Sequence, residues 1–475
     1  MNNAVITALL FLYERILMKK FIFAMVAVLL PLQIEAQEAV EKTITINANE
    51  ILTLEQCVQI ALENQPAIGA SQGAIITAES EYTQVLSSRF PQIQLEAGAH
   101  LTNSPLQSGN VFGPDQTLET TKKWNFIPSV RMTMKQPIYD FGRTDKALDS
   151  KRKLIKASEM SLESTEEDVI FNVHSAYYNY VLAQQIVRIN EERVAQSNKH
   201  LERAKGFFAV GKLPESEVSK AELEVANSEL QLIDAKGKSR MAKVSLNSAM
   251  GITEISDDPT DYTTAKDVAY EPFHANLQDA INGALDSRKE VKASELKIQA
   301  WRSALSAAKS QYFPIISASG GTAPYIIQTV DENGLTTDKF KLGWNIGLNF
   351  AFPIFQGLTV RAEIAEALGG IRIATSQSNV TKQRIVQDVQ EKYFSVKVAE
   401  ERYKASEKII VQSERNLKLA EGRFETGVGS AIEVTDANFS LANAKIDRTT
   451  ALYNYMIELS RYRRSTGTIR NDIKK

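Results

Sequence analysis

Lys341-Leu342-Gly343-Trp344-Asn345-Ile346-Gly347-Leu348-Asn349-Phe350-Ala351-Phe352-Pro353 is the stretch that decides the fold. Leu342, Trp344, Ile346, Leu348, Phe350 and Phe352 alternate with Gly343, Asn345, Gly347, Asn349 and Ala351. Successive strand side chains point to opposite faces, so a period of two makes one face apolar and the other small or polar. The run is about ten residues long, the length a tilted strand needs to cross a bilayer.

The surroundings extend this reading. A less regular strand is expected over 315–328, blurred by Ile315-Ile316 and Gly320-Gly321, with a polar loop at 329–339 and the cleaner strand at 340–353. After Phe352-Pro353-Ile354-Phe355 and Gly357, a helical pattern runs from Thr359 to about Arg423, with Gly369-Gly370 as a soft point. At 1.5 Å per residue it spans on the order of 95 Å, too long for one globular domain. A turn at Gly427-Val428-Gly429-Ser430 then leads into a return helix over 431–465. Ala437, Ser440, Ala442 and Ala444 on the return helix are small enough for close antiparallel packing.

The same order of features occurs earlier in the chain. Ser87-Ser88-Arg89-Phe90-Pro91 anticipates Ser310-Gln311-Tyr312-Phe313-Pro314, and Gln136-Pro137-Ile138-Tyr139 anticipates Phe352-Pro353-Ile354-Phe355. Phe208-Ala209-Val210-Gly211 anticipates Phe424-Glu425-Thr426-Gly427. The spacing, roughly 220 residues, is far too long for a solenoid and signifies two copies of one large unit. The first unit occupies 37–274, with strands at about 92–103 and 124–137 and a helical hairpin at about 143–249. The second occupies 275–467, with its hairpin at about 358–465, and 468–475 is a tail. Short helices are expected at 53–64 and 67–88, the former echoed at Leu277 to Leu285.

The N-terminus reads as a secretory signal over residues 1–36. Met18-Lys19-Lys20 precedes an apolar run from Phe21 to Leu32, Ile34-Glu35-Ala36 forms a cleavage site, and Met18 is a candidate true start. The run is too short for a spanning helix, which needs about 20 residues. With 55 basic and 57 acidic residues the chain is near neutral, which argues against nucleic acid as a partner. Cys57, the sole cysteine, cannot form an intrachain disulfide and is expected to be buried on a short helix. The four histidines share no metal-ligand spacing, and neither a phosphate-cradling loop nor a nucleophile elbow is present. An enzyme is therefore not expected, and neither is a cofactor or a resident metal.

Four strands cannot close a barrel, and open edges in hydrocarbon leave backbone groups unsatisfied at several kcal/mol each. Several chains must then share one barrel, with Asn125, Ser129, Arg131, Thr133, Asn345, Gly347 and Asn349 facing a wet lumen. Trp124, Trp344, Tyr139 and Phe355 are candidates for an aromatic belt at the membrane surface, with packing at the β–α junction an equal alternative for Tyr139 and Phe355. The expected fold is mainly α with a membrane β-barrel, placed in an outer membrane with its helices in the periplasm.

At this point the chain resembles the TolC family of outer membrane efflux proteins. The matching features are Leu52-Thr53-Leu54-Glu55-Gln56-Cys57-Val58-Gln59-Ile60-Ala61-Leu62 with Asn64 and Pro66, the Phe-Pro pairs before the strands, Gln136-Pro137-Ile138-Tyr139-Asp140-Phe141-Gly142-Arg143, and the turns after Gly211 and Gly427. The resemblance implies a homotrimer: a twelve-stranded barrel, four strands per chain, continuous with a helical tunnel. Its tip would open when a periplasmic adaptor (membrane fusion protein) and an inner-membrane pump of RND or ABC type dock, completing an exit duct for small molecules or polypeptides. Glu433 and Asp436 fall where the family points acidic side chains into the pore, so that three copies would form rings that select cations. The plainer reading is first-turn acids favoured by a helix dipole, and both can hold at once. Glu217 falls where the family has an acidic lock residue, but Phe424 stands for a tyrosine and Gly429 for an arginine. Closure is then expected to rest on packing of Phe424 and Val428. Val210, Gly211, Lys212, Leu213, Gly427, Val428, Gly429 and Ser430 are the candidates for adaptor docking. The alternative is a periplasmic adaptor or coiled-coil scaffold without a channel, which would carry one helical hairpin in a β-rich domain rather than two hairpins and lipid-patterned strands.

Overall fold

A computed structural model describes residues 51–102, 125–211, 214–252, 262–264, 269–330, 336–426 and 428–472. The expected signal segment, the whole 103–123 loop, Trp124, Lys212, Leu213 and Gly427 lie outside the described residues, as do the side chains of Asn125 and Ser129.

The order is β1 (Ile51–Leu52), α1 (Leu54–Asn64), α2 (Pro66–Ser87), β2 (Gln92–Thr102), β3 (Asn125–Tyr139), α3 (Arg143–Ala209), α4 (Glu215–Ala249), β4 (Thr263–Thr264), α5 (Leu277–Ser287), α6 (Lys289–Ser310), β5 (Ile315–Val330), β6 (Thr336–Ala351), α7 (Thr359–Glu425), α8 (Ala431–Ser465) and a 3-10 turn at Ile469–Asp472. Among the described residues no helix is long and apolar enough to cross a membrane.

The sheet is antiparallel throughout, in the order β2-β3-β5-β6. Its register superimposes the sequence patterns. Ile93, Leu95 and Ala97 stand opposite Met134, Met132 and Val130, while Ile316, Ala318 and Gly320 stand opposite Phe350, Leu348 and Ile346. Directly opposed residues share a face, so one side is apolar across all four strands. It is bare: Ile346 is 80% exposed and Leu348 75%. A bulge between Pro137 and Tyr139 shifts the register so that Tyr139 pairs with Ile316, an apolar-face residue. Tyr139 thereby meets Phe141 edge-on at 4.7 Å, and Phe141 stacks on Phe313 at 5.5 Å. The bulge also carries β3 two residues past its expected end, while β6 stops before Phe352-Pro353, since proline cannot donate to a ladder.

Each strand pair feeds a 67-residue helix, α3 or α7, and each of these returns as a 35-residue helix, α4 or α8. The seam of the first hairpin is spaced by sevens: Asn190, Ser197 and Ala204 on α3, with Ala221, Ser228 and Ala235 on α4, are all buried. Ser197 and Ser228 hydroxyls touch at 3.0 Å. The second seam uses Ser406, Ser413 and Ala420 on α7 with Ala437 and Ala444 on α8. A seven-residue repeat supercoils two helices, and small side chains let the backbones approach. Ala226 and Ser440, also small, are exposed instead, because they lie off this repeat.

The short helices stand on the ends of the return helices. Gln65, just before α2, donates from its side-chain amide to the carbonyls of Ser248 and Ala249 at 2.7 Å each, taking up bare acceptors at the end of α4. Ser287 donates to the Thr466 carbonyl at 2.8 Å, making the equivalent joint between α8 and the α5–α6 corner. Arg464 lies buried there, donating to Asp168 at 2.6 Å, Glu290 at 3.0 Å, Ser164 at 3.1 Å and Glu167 at 3.3 Å.

One detail corrects the sequence reading and another agrees with it. The Gly369-Gly370 pair is not a soft point, since α7 runs through it unbroken. A Cβ on Gly370 would lie 2.5 Å from the Trp301 ring, so this glycine makes room for an indole packed against α7. Cys57 is fully buried on α1, as expected, and burial pushes its thiol up to about 12.

Candidate functional site: the hairpin tips and the polar face of the sheet

The two turns are built differently. At the first, Gly211 adopts φ +73°, a left-handed conformation that glycine reaches without cost, and its N–H donates to the Phe208 carbonyl at 2.9 Å. Pro214 precedes α4, whose first turn holds Glu215 and Glu217. At the second, the Val428 and Gly429 N–H groups both donate to the Arg423 carbonyl, at 3.0 and 2.8 Å. A Cβ on Gly429 would come within 2.9 Å of the Arg423 Cβ, so only glycine fits this fold-back. Ser430 caps α8 by accepting the Glu433 N–H at 3.3 Å. Val210 and Val428 project into solvent, 66% and 73% exposed.

The charged residues singled out from sequence have separate surroundings. Glu433 pairs with Arg423 across the turn at 3.5 Å, with both side chains substantially exposed. Glu217 accepts from Lys220, one turn along its own helix, at 2.8 Å. Asp436 is exposed one turn beyond the α8 N-terminus. Phe424 is half-buried against Ala420, Val434 and Ala437. Its ring meets Phe207 edge-to-face at 6.2 Å, an arrangement that adds roughly 1 kcal/mol to plain burial. The two hairpins are therefore joined at the tip by an aromatic pair. Higher up, Thr435 donates to Glu224 at 3.1 Å, Arg193 lies over the Phe439 ring at 4.7 Å, and Lys445 pairs with Glu192 at 3.3 Å.

Phe207, Arg423 and Lys220 were not among the expected residues. The duplication matches Phe208 to Phe424, whereas the structure sets Phe207 against Phe424. Helix phase selects between adjacent phenylalanines, and a repeat alignment carries no phase.

At the opposite end the sheet presents a polar face. Gln94, Arg131, Thr133, Lys135 and Asn345 help line a hollow of about 730 Å³ against it. Arg131 stands opposite Glu96 in the register, with 3.9 Å between their charged groups. Asn349 donates to the Ser319 hydroxyl at 2.7 Å. A Cβ on Gly321 would lie 3.0 Å from the Asn345 amide oxygen, so that glycine leaves space for the amide. Asn125 and Ser129 occupy alternate positions of β3, opposite Thr102 and Gly98. Among the described residues no group of His, Cys, Asp and Glu is placed to hold a metal ion.

A family model described as "Outer membrane efflux protein" matches residues 57–252 and 280–468, which together make up most of the chain and take in both hairpins.

The chain belongs to the outer membrane efflux protein family.

Among its relatives, the outer membrane protein TolC of Escherichia coli (strain K12) is 21% identical over 430 residues, covering 88% of this chain and 82% of that protein. OprJ of Pseudomonas aeruginosa is 22% identical over 424 residues, covering 86% and 83%. The fold is shared with the Campylobacter jejuni CmeC outer membrane channel, at TM-score 0.66 and 19% identity over 89% of this chain and 88% of that one. The outer membrane protein VceC from Vibrio cholerae gives 0.65 and 17% over 87% and 96%. This efflux family member is thus an outer membrane channel with a helical periplasmic portion, and it serves as an exit duct. The reading as a periplasmic adaptor finds no support, because the matched family is one of channels and both units fall within the match.

Proposed function

We propose that this efflux channel works as a homotrimer whose three four-stranded sheets close a twelve-stranded barrel and whose helices close a tunnel beneath it. The observation that carries this reading is that both the sheet and the helical wall end in open, apolar flanks. Among the described residues β2 and β6 each lack a second strand partner, which is untenable in lipid. In the wall, α3 touches α4 and α8, and α8 touches α7, leaving α4 and α7 at the margins. The margins expose Leu223, Leu230, Ile233 and Val244 on α4, and Ile373, Ile409 and Leu419 on α7. Stripes of this kind match what a second copy would cover.

Residues 1–36 act as the export signal in this reading. Val210, Gly211, Lys212 and Leu213, with Gly427, Val428, Gly429 and Ser430, meet the hairpin of a periplasmic adaptor, which links the channel to an inner-membrane pump of RND or ABC type. Glu433 and Asp436, repeated three times, line the aperture with negative charge, and Asn125, Ser129, Arg131, Asn345 and Asn349 line the barrel lumen. The channel has no catalytic role, and the pump supplies the energy and selects small molecules or polypeptides. The test is reconstitution of the purified protein in planar bilayers after chemical cross-linking. Trimers should conduct with cation preference, and Asp436→Asn should cut that preference severalfold. A monomer that does not conduct overturns the proposal.

A further inference from the structure

The polar face of the sheet carries charge of mostly one sign. Arg131 and Lys135 on β3, Lys341 on β6 and Glu96 on β2 are exposed and occupy polar-face positions of the register. Glu96 is the one acid at these positions among the described residues. Its closest approach to Arg131 is 3.9 Å, to Nε, which leaves both terminal guanidinium nitrogens free. Among the described residues neither Lys135 nor Lys341 has an acidic partner within ion-pair distance. Arg131 is about 13 Å along β3 from Lys135. Lys341 stands opposite Tyr325, about 20 Å along β5 from Ser319, the residue opposite Lys135. The three cations step up the wall from the end where β3 leads toward α3.

The hollow of about 730 Å³ lies along the first two of them. Its lining, drawn mainly from the polar face, includes Arg131 and Lys135 and no acid among the described residues. Gly321, Ala323 and Gly343 form its floor, where no side chain longer than a methyl rises from the sheet. The Ser319 hydroxyl accepts from the Asn349 amide at 2.7 Å, which leaves its own O–H to donate, and Gln94 and Thr133 add donors at the rim. A volume of this size holds one small molecule. In the trimer proposed above, copies join edge to edge at β2 and β6, so this face stays open to the lumen water. Rings of Arg and Lys in a pore favour anions and phosphates. The tip acids lie beyond a 67-residue helix, on the order of 100 Å away, too far to neutralise the belt.

The geometry points to a lumenal binding site for linear polyanions, solutes with several phosphate groups strung along a chain. One phosphate pairs with the two free guanidinium nitrogens of Arg131, whose fork matches two oxygens at once. A second pairs with the Lys135 ammonium, and Ser319 donates between them. This rests on the channel reading, which makes the polar face a lumen, and it gives that lumen a class of solute. The probe is tripolyphosphate, titrated calorimetrically at low salt into the protein held in phosphatidylcholine nanodiscs, with orthophosphate as the single-group control. Tripolyphosphate should bind about tenfold tighter than orthophosphate. Lys135→Gln and Arg131→Gln should each remove most of that margin, and Glu96→Gln should tighten tripolyphosphate several-fold. All three side chains are exposed, so these substitutions leave the packing of the sheet alone. Light-scattering mass of the same preparations reports the trimer separately. The hollow lies within one chain's sheet, so the titration decides the site whatever that mass shows. Equal binding of the two anions by the wild type, or an unchanged margin in Lys135→Gln, overturns the site and leaves the channel reading standing.

Discussion

His174 shows how much a single position in this wall can depend on its neighbours. Its ring is buried between α3 and α8, with Nδ1 3.3 Å from the Ser460 hydroxyl. Burial, aided by the nearby Arg463 charge, lowers it to about 4. Its folded value thus lies below the ordinary histidine value, and the unfolded chain takes up the proton first. Stability is lost as pH falls from about 6.5 toward 4, by about 3 kcal/mol if the full difference is realised. His174→Gln should flatten the fall in thermal midpoint between pH 7 and 4. An unchanged slope would assign that acid sensitivity elsewhere. Gly370 gives a second expectation. Gly370→Ala should lower the midpoint by an amount equivalent to roughly 1–3 kcal/mol, because the Trp301 ring must move, while Gly369→Ala, with open space around it, should not. The pair looks symmetrical in sequence, and only the indole across from one member tells the two apart.

At the scale of elements, the hairpins were legible because their signal is long. Runs of more than sixty residues without a proline and with almost no glycine favour long helix, and the turns announced themselves through Gly211-Lys212-Leu213-Pro214 and Gly427-Val428-Gly429-Ser430. What holds one hairpin against the other was not legible, since it depends on which side of each helix faces inward at the tip. The aromatic contact between Phe207 and Phe424 is the element-level candidate for the closed state, with Glu217 tied to its own helix by Lys220. Phe424→Ala should raise resting conductance in planar bilayers several-fold, by loosening the second hairpin from the first. Glu217→Ala should change it little at any salt concentration. A large salt-dependent opening abolished by Glu217→Ala would reverse this assignment and make the lock electrostatic.

At the scale of the molecule, Arg464 is where the two units are fastened. It comes from α8, the last helix of the second unit, and reaches Glu167 and Asp168 on α3 of the first. It also pairs with Glu290 on α6. Burial disfavours the ionised Glu290 carboxyl, but the Arg288 hydrogen bonds and the charges of Arg288 and Arg464 outweigh it and hold the group at about 2. Glu167, only 1% exposed, would lose its cation in Arg464→Met. Removing one partner of a buried pair costs about 3–5 kcal/mol. That variant should be markedly less stable to urea, and Glu167→Gln in the same chain should recover part of the loss. No recovery would show that the arginine acts through its other partners.

The sequence by itself determined the elements and their duplication. Strand alternation, uninterrupted helix and turn chemistry are local properties, carried by residues within a few positions of one another. They were enough to expect four lipid-length strands shared in a barrel and two long hairpins, while the expectation of an efflux channel came from the family resemblance. Only the tertiary structure decided which residues meet. It set Phe207 rather than Phe208 against Phe424, turned Tyr139 to the apolar face through a bulge, packed Trp301 on Gly370 and buried Arg464 among acids from the other unit. Each of these depends on helix phase or strand register summed over tens of residues. An offset of one position rotates a helical side chain by about 100° and reverses a strand side chain, so contacts between distant segments emerge only when the whole chain is packed.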